Sequence, residues 1–190
     1  MSPFEHVILL LSFVYALALT HLLSGVARLL HAAARVRFSW VHAGWMLNAL
    51  IIIVANWIGF WDMRQLPSWS VGMILFTLAM AIANYLQVAL VCPEVGDEGI
   101  VDLHDFHRRQ GRRYIGAFVI SLLFALFANI VFGAEYNFRD LLEQNLAVIP
   151  MLPIAILATV FLGRRVQIFA LACLAGLWGV YFSDLQQALR

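Results

Sequence analysis

Thr20-His21-Leu22-Leu23-Ser24-Gly25-Val26-Ala27-Arg28 occupies the second half of an apolar run that extends from Val7 to Leu30. The run is long enough to cross about 30 Å of bilayer hydrocarbon as one helix. His21, Ser24, Gly25 and Arg28 stand at i, i+3, i+4 and i+7, so one helical face is polar and small. Such a stripe has no favourable partner in lipid. It predicts a first helix packed against others, with His21 pointing inward. The fold class expected from this stretch is an all-α, polytopic integral membrane protein with a polar interior.

Composition sets the class independently. Of 190 residues, 63% are hydrophobic and 12% charged, and the mean hydropathy is +0.87. Soluble domains carry roughly a quarter charged residues. The chain therefore reads as a single transmembrane helical domain, 1–190, with little mass outside the bilayer. All 12 basic residues are arginine. Without lysine there is no retinal or pyridoxal Schiff base and no P-loop phosphate clamp. Cys92 and Cys173 sit in or beside apolar runs and suggest neither a disulfide framework nor a metal knuckle, and Cys92-Pro93 reads as a helix end. The start, Met1-Ser2-Pro3-Phe4-Glu5-His6, has no positive charge, and the run behind it exceeds a signal-peptide core. The first segment is expected to be a retained span.

Windows of roughly 20 apolar residues mark six segments, at about 6–29, 40–61, 69–91, 114–133, 146–163 and 166–184. Six transmembrane helices in one bundle are expected. The breaks after the first, third and fifth hold nine arginines: Arg28, Arg35, Arg37, Arg108, Arg109, Arg112, Arg113, Arg164 and Arg165. Arg64, Arg139 and Arg190 fall on the other side. By the positive-inside rule both termini lie outside the cytoplasm. Trp57, Trp61, Trp69, Trp178 and Tyr181 are expected at the outer interface, with Trp40, Tyr85 and Tyr114 at the inner one. Pro150 and Pro153 each lack a backbone donor, so regular helix in the fifth segment is expected to begin near Met151. That leaves about 18 Å of helix to Leu162. Either the span kinks, or the stretch from Leu141 to Ile149 enters the membrane as a separate piece.

At 1.5 Å per residue from the arginine-rich ends, His21, Asn48 and Ser121 fall about 12 Å deep, with Asn84 slightly shallower. Ser24 and Gln87 lie just beyond, toward the arginines. Ser12, Asn56 and Asn129 form a second set about 24 Å deep. Interhelical hydrogen bonding is the plain account of these layers, and it suits Asn48, Asn56 and Asn129. His21 stands apart because an ionisable side chain inside a span is a functional candidate, its expected partner being Asn48 or Ser121. His21, Ser24, Asn48, Asn84 and Ser121 are therefore the candidate binding residues. The core holds no carboxylate, Glu5, Asp62, Glu135, Asp140, Glu143 and Asp184 falling at the outer ends, which weighs against a usual proton-coupled transporter.

The long third break runs from acid to base between Pro93 and Arg113. Asp102 or Asp105 is expected to cap a helix leading into the fourth span, while Arg108, Arg109, Arg112 and Arg113 meet anionic headgroups. A weaker alternative is a metal site of Asp102, His104, Asp105 and His107, since His104 and His107 share a helix face. His31 and His42 flank the first turn too shallowly to oppose His21 across a b-type haem. His21 and Ser24 lie one turn apart, but nothing else suggests an intramembrane protease. No glycine-rich nucleotide loop or paired catalytic carboxylates occur. An enzyme is not the expectation, and neither is a nucleic-acid partner.

Thr20-His21-Leu22-Leu23-Ser24-Gly25, Arg37-Phe38-Ser39-Trp40-Val41-His42 and Asp102-Leu103 with Arg112-Arg113 resemble a family of small bacterial multi-span membrane proteins with no assigned activity. The resemblance covers mainly the first two-thirds of the chain. It implies a bacterial inner-membrane location and carries no chemistry across. Close helix contact is expected at Ala172-Gly176 and Ala175-Gly179 in the last span. The leading functional expectation is binding or translocation of a small solute or ion around His21. The alternatives are a non-catalytic accessory subunit of a larger membrane complex, and a membrane enzyme or metal-binding sensor. Partners expected are the lipid bilayer, and either further copies of the chain or the other subunits of such a complex.

Overall fold

The computed structural model describes residues 3–66, 68–96, 99–132, 139, 142 and 145–188. Among these residues the protein is all-α, with six helices: α1 (Pro3–His31), α2 (Trp40–Gly59), α3 (Val71–Val91), α4 (Leu103–Phe132), α5 (Val148–Val160) and α6 (Arg164–Ala188). Five of them, all but α5, are long and apolar enough to cross a membrane. The sequence windows anticipated six such segments. The fifth is the exception, because the α5 helix has 13 residues, about 20 Å of rise.

The α5 helix begins at Val148 rather than near Met151. Pro150 stands in its first turn, where backbone N–H groups have no intrahelical acceptor, so its missing donor costs no bond. Pro153 lies within the helix without ending it. Of the stretch proposed as a separate membrane piece, Leu141 to Ile149, residues 141, 143 and 144 lie outside the described residues, and Val148 and Ile149 open α5. Asn145–Ala147, just before them, is a turn.

The inner face of α1 is an apolar seam. Val7, Leu11, Tyr15, Ala18 and Leu22 are buried, followed by Gly25. These steps of three and four residues keep one face toward the bundle. The polar stripe does not coincide with it, contrary to expectation. Only Gly25 is buried; His21 is half-buried at the edge, and Ser24 and Arg28 are exposed. A β-carbon at Gly25 would stand 3.0 Å from Cys92 Sγ, so glycine there lets α1 approach the end of α3.

The central helix is α2, half of whose most apolar stretch is buried. It touches α1, α3, α4 and α6, while α4 packs most extensively on α3 and α5. Gly44 permits the α2–α6 contact, since a β-carbon there would meet Leu171 Cδ1 at 2.7 Å. Ser39 and Ser70 cap α2 and α3 by accepting from His42 N at 3.4 Å and Met73 N at 3.2 Å. Asp102 caps α4, its Oδ1 accepting from His104 N at 2.9 Å and Asp105 N at 3.0 Å.

One end of the bundle is tied by loops. Val36–Arg37 (β1) pairs in parallel with Val101–Asp102 (β2), in register Val36 to Val101 and Arg37 to Asp102. Arg35 donates to Gly96 O at 3.3 Å and Gly99 O at 3.5 Å. The α5–α6 turn reaches the same end, where Leu162 meets Gly111 of α4. All nine arginines of the alternate breaks therefore gather there. At the opposite end, Trp69 lies against Phe4 and Phe132, and Tyr181 against Gly59.

Candidate binding site

The expected His21 layer does not form. His21 lies against Tyr85, with ring centroids 6.2 Å apart. Asn48 Oδ1 instead accepts from Trp178 Nε1 at 2.9 Å, tying α2 to α6. Asn84 Nδ2 donates to the Tyr15 hydroxyl at 3.1 Å, tying α3 to α1. Ser121 Oγ donates to Ala117 O of its own helix at 3.1 Å. Asn56 and Thr77 likewise bond backbone carbonyls one turn back. Asn129 has its side chain outside the described residues. Equal depth set the expectation, but which helices neighbour one another decides the pairing.

The four residues offered for a metal are also divided. Asp102 caps α4 and pairs with Arg37 at 3.5 Å, while Asp105 pairs with Arg109. His104 is exposed, whereas His107 is buried. Among the described residues no three His, Cys, Asp or Glu side chains converge. The Asp102 carboxyl is held below its ordinary range, chiefly by the Asp105 backbone N–H, with His104 N–H and Arg37 adding to it.

The buried histidines meet elsewhere, at the arginine-rich end. His42 projects from the first turn of α2 and has no exposed surface. Its ring lies edge-on to Phe106 and Tyr114 of α4, with centroids 5.1 and 6.0 Å away. His107 lies on the same tyrosine, centroid 5.9 Å away, and its Nδ1 hydrogen-bonds the Tyr114 hydroxyl. His107, Gly111 and Tyr114 follow at i, i+4 and i+7, one face of α4. The His107 ring would lie 3.4 Å from a β-carbon at Gly111, so glycine leaves it room.

Both ring nitrogens of His42 and Nε2 of His107 are buried without a hydrogen-bond partner. An unpaired buried polar group costs about 1–3 kcal/mol, so this corner sacrifices stability.

A cavity of about 330 Å³ opens beside the cluster. Asp102, Asp105, Arg109 and Gln110 line it, with Pro93 and Glu94 from the loop. Phe106 also lines it and touches His42 with its ring. This phenylalanine therefore separates the cavity from the histidines.

Trp45 connects the cluster to the last helices. It lies against Tyr114 and Phe118, and its Nε1 donates to Gln167 Oε1 at 2.7 Å. Gln167 Nε2 donates to Ala158 O at 2.7 Å and Phe161 O at 2.8 Å, satisfying carbonyls at the end of α5. Sequence reasoning passed over Gln167 and used His42 only to weigh haem and as part of the Arg37–His42 resemblance. An amide just inside an apolar span, and the spacing from His107 to Tyr114, were the available signals. Tyr114 and Trp178, expected at membrane interfaces, are buried instead.

Comparison of the chain with family models, curated proteins and solved structures finds no match.

Proposed function

We propose that the chain is a six-span protein of a bacterial inner membrane, with both termini outside the cytoplasm, that binds a small cation between His42 and His107. The resemblance to small bacterial multi-span proteins belongs to the same proposal. The observation that carries it is the fully buried His42 ring with both nitrogens unpartnered. Neutral imidazole offers a lone pair to a proton or to a first-row transition ion. Glu94, Asp102 and Asp105 line the cavity together with Arg109, and since Asp102 pairs with Arg37 and Asp105 with Arg109, the attraction for a cation rests on the imidazoles and Glu94. Phe106 acts as the door, because its displacement connects the cavity to the imidazoles. The reading keeps the small-ion class expected for His21 and moves its centre to the arginine-rich end.

The test is nitrogen NMR of histidine-labelled protein in micelles, at pH 7.5, at pH 4, and at pH 7.5 with one equivalent of zinc. The ring signals of His42 and His107 are expected to move together under acid or zinc, and His42→Phe is expected to abolish the His107 response while keeping the fold. Rings that stay unchanged under both conditions would overturn the site.

A second reading, an accessory subunit or homo-oligomer, draws support from α1 and α6. Their most apolar stretches are only 28% and 22% buried, and Trp57 and Trp61 are exposed on α2 and the turn behind it. Mass measurement of the gently solubilised particle distinguishes a lone chain from an assembly.

A further inference from the structure

We infer that the groove between α1 and α2 holds one acyl chain of an anionic phospholipid from the leaflet at the arginine-rich end. The groove has a volume of about 400 Å³, and every residue lining it is apolar. Along α1 it runs from Leu22 to Leu30, about 12 Å of helix rise, and beyond to Ala33. Along α2 it runs from Ala43 to Leu50. That depth is close to one leaflet of a hydrocarbon core about 30 Å thick. An acyl chain fits these dimensions and needs no polar partner; a peptide segment would bring backbone groups that this lining leaves unsatisfied.

The headgroup end is equally specific. Val36, Phe38 and Leu103 close the groove where the bundle meets the arginine-rich loops. Arg35 and Arg37 flank Val36 in the chain, and the Arg37 side chain is 69% exposed beside its Asp102 partner. Trp40 is 80% exposed and meets Phe38 edge-on, ring centroids 4.8 Å apart, the placement of an interfacial aromatic. A phosphate seated above the groove meets the exposed part of the Arg37 guanidinium, which Asp102 contacts at 3.5 Å from one side, and this favours an anionic headgroup. This site is separate from the histidine cluster and does not depend on it.

The experiment uses the full chain in nanodiscs of four parts phosphatidylcholine to one part phosphatidylglycerol, followed by native mass spectrometry after release. One phosphatidylglycerol per chain is expected to remain. Leu47→Trp fills the groove from a position that is already exposed, so the fold tolerates it, and it is expected to cut retention at least tenfold. Arg37→Gln is expected to bring the retained lipid toward the bulk ratio. Unchanged retention in a folded Leu47→Trp protein, retained lipid mirroring the bulk mixture, or a lipid-free dimer in its place overturns the inference.

Discussion

Gln167 shows how much one side chain can hold together in a bundle with few polar groups. Its amide donates to two carbonyls at the end of α5 and accepts from Trp45 of α2, three bonds among three helices. Gln167→Leu keeps the volume but leaves Ala158 O, Phe161 O and Trp45 Nε1 unpaired. The expected cost is about 2–3 kcal/mol, at the upper end for membrane hydrogen bonds because all three partners are stranded at once. Thermal unfolding in detergent measures it. Trp45→Phe in the same background should recover part of the loss, since it removes one stranded donor. Nothing local announces these pairings. Asn48 meets Trp178, and Trp45 meets Gln167, across more than half the chain. Sequence showed that His21, Asn48 and Asn84 are polar groups within spans, and their burial or half-burial agrees. It was silent on which helix stands beside which, because lipid-facing and protein-facing residues are equally apolar.

At the scale of elements, Asp102 ends β2, caps α4 and pairs with Arg37 of β1. Its carboxyl is depressed below the ordinary value, mainly by the Asp105 N–H. A depressed carboxylate contributes stability that is present above its ordinary pKa and lost as pH falls through its folded value. The midpoint of thermal unfolding should therefore drop as the medium is acidified below the usual carboxylate range. Asp102→Asn, which retains a capping oxygen but does not titrate there, should flatten that part of the profile, and an unchanged slope would remove Asp102 from the account. The cap was readable as an acidic residue before the helical run into the fourth span. The α5 start was misjudged for a different reason: proline was weighed as a lost donor at Pro150, where the first helical turn needs none. The polar stripe of α1 failed because Tyr15, Ala18 and Leu22 already supply the inward face.

At the scale of the whole molecule, the ends of the bundle were the most legible feature, since nine arginines fall in alternate breaks and the chain reverses at each. Orientation in the cell can be tested with single cysteines, but not with Cys92. Burial against α1 pushes that thiol up to about 11, with Arg28 drawing it part of the way back, so it stays protonated and slow to react near neutral pH. In a chain with Cys92 and Cys173 replaced by alanine, Ser68→Cys should label with an impermeant maleimide in intact cells, and Glu94→Cys only in inverted vesicles. The reverse pattern would invert the topology. The short parallel pair of β1 and β2 has a bearing on biogenesis. Val36 meets Val101 about 65 residues later in the chain. At roughly 5–20 residues per second of synthesis, that partner arrives about 3–13 s after Val36 is made. The α2–α3 hairpin must thus enter the membrane before the loops that flank it can be clasped, a checkpoint passed before α5 and α6 have left the ribosome.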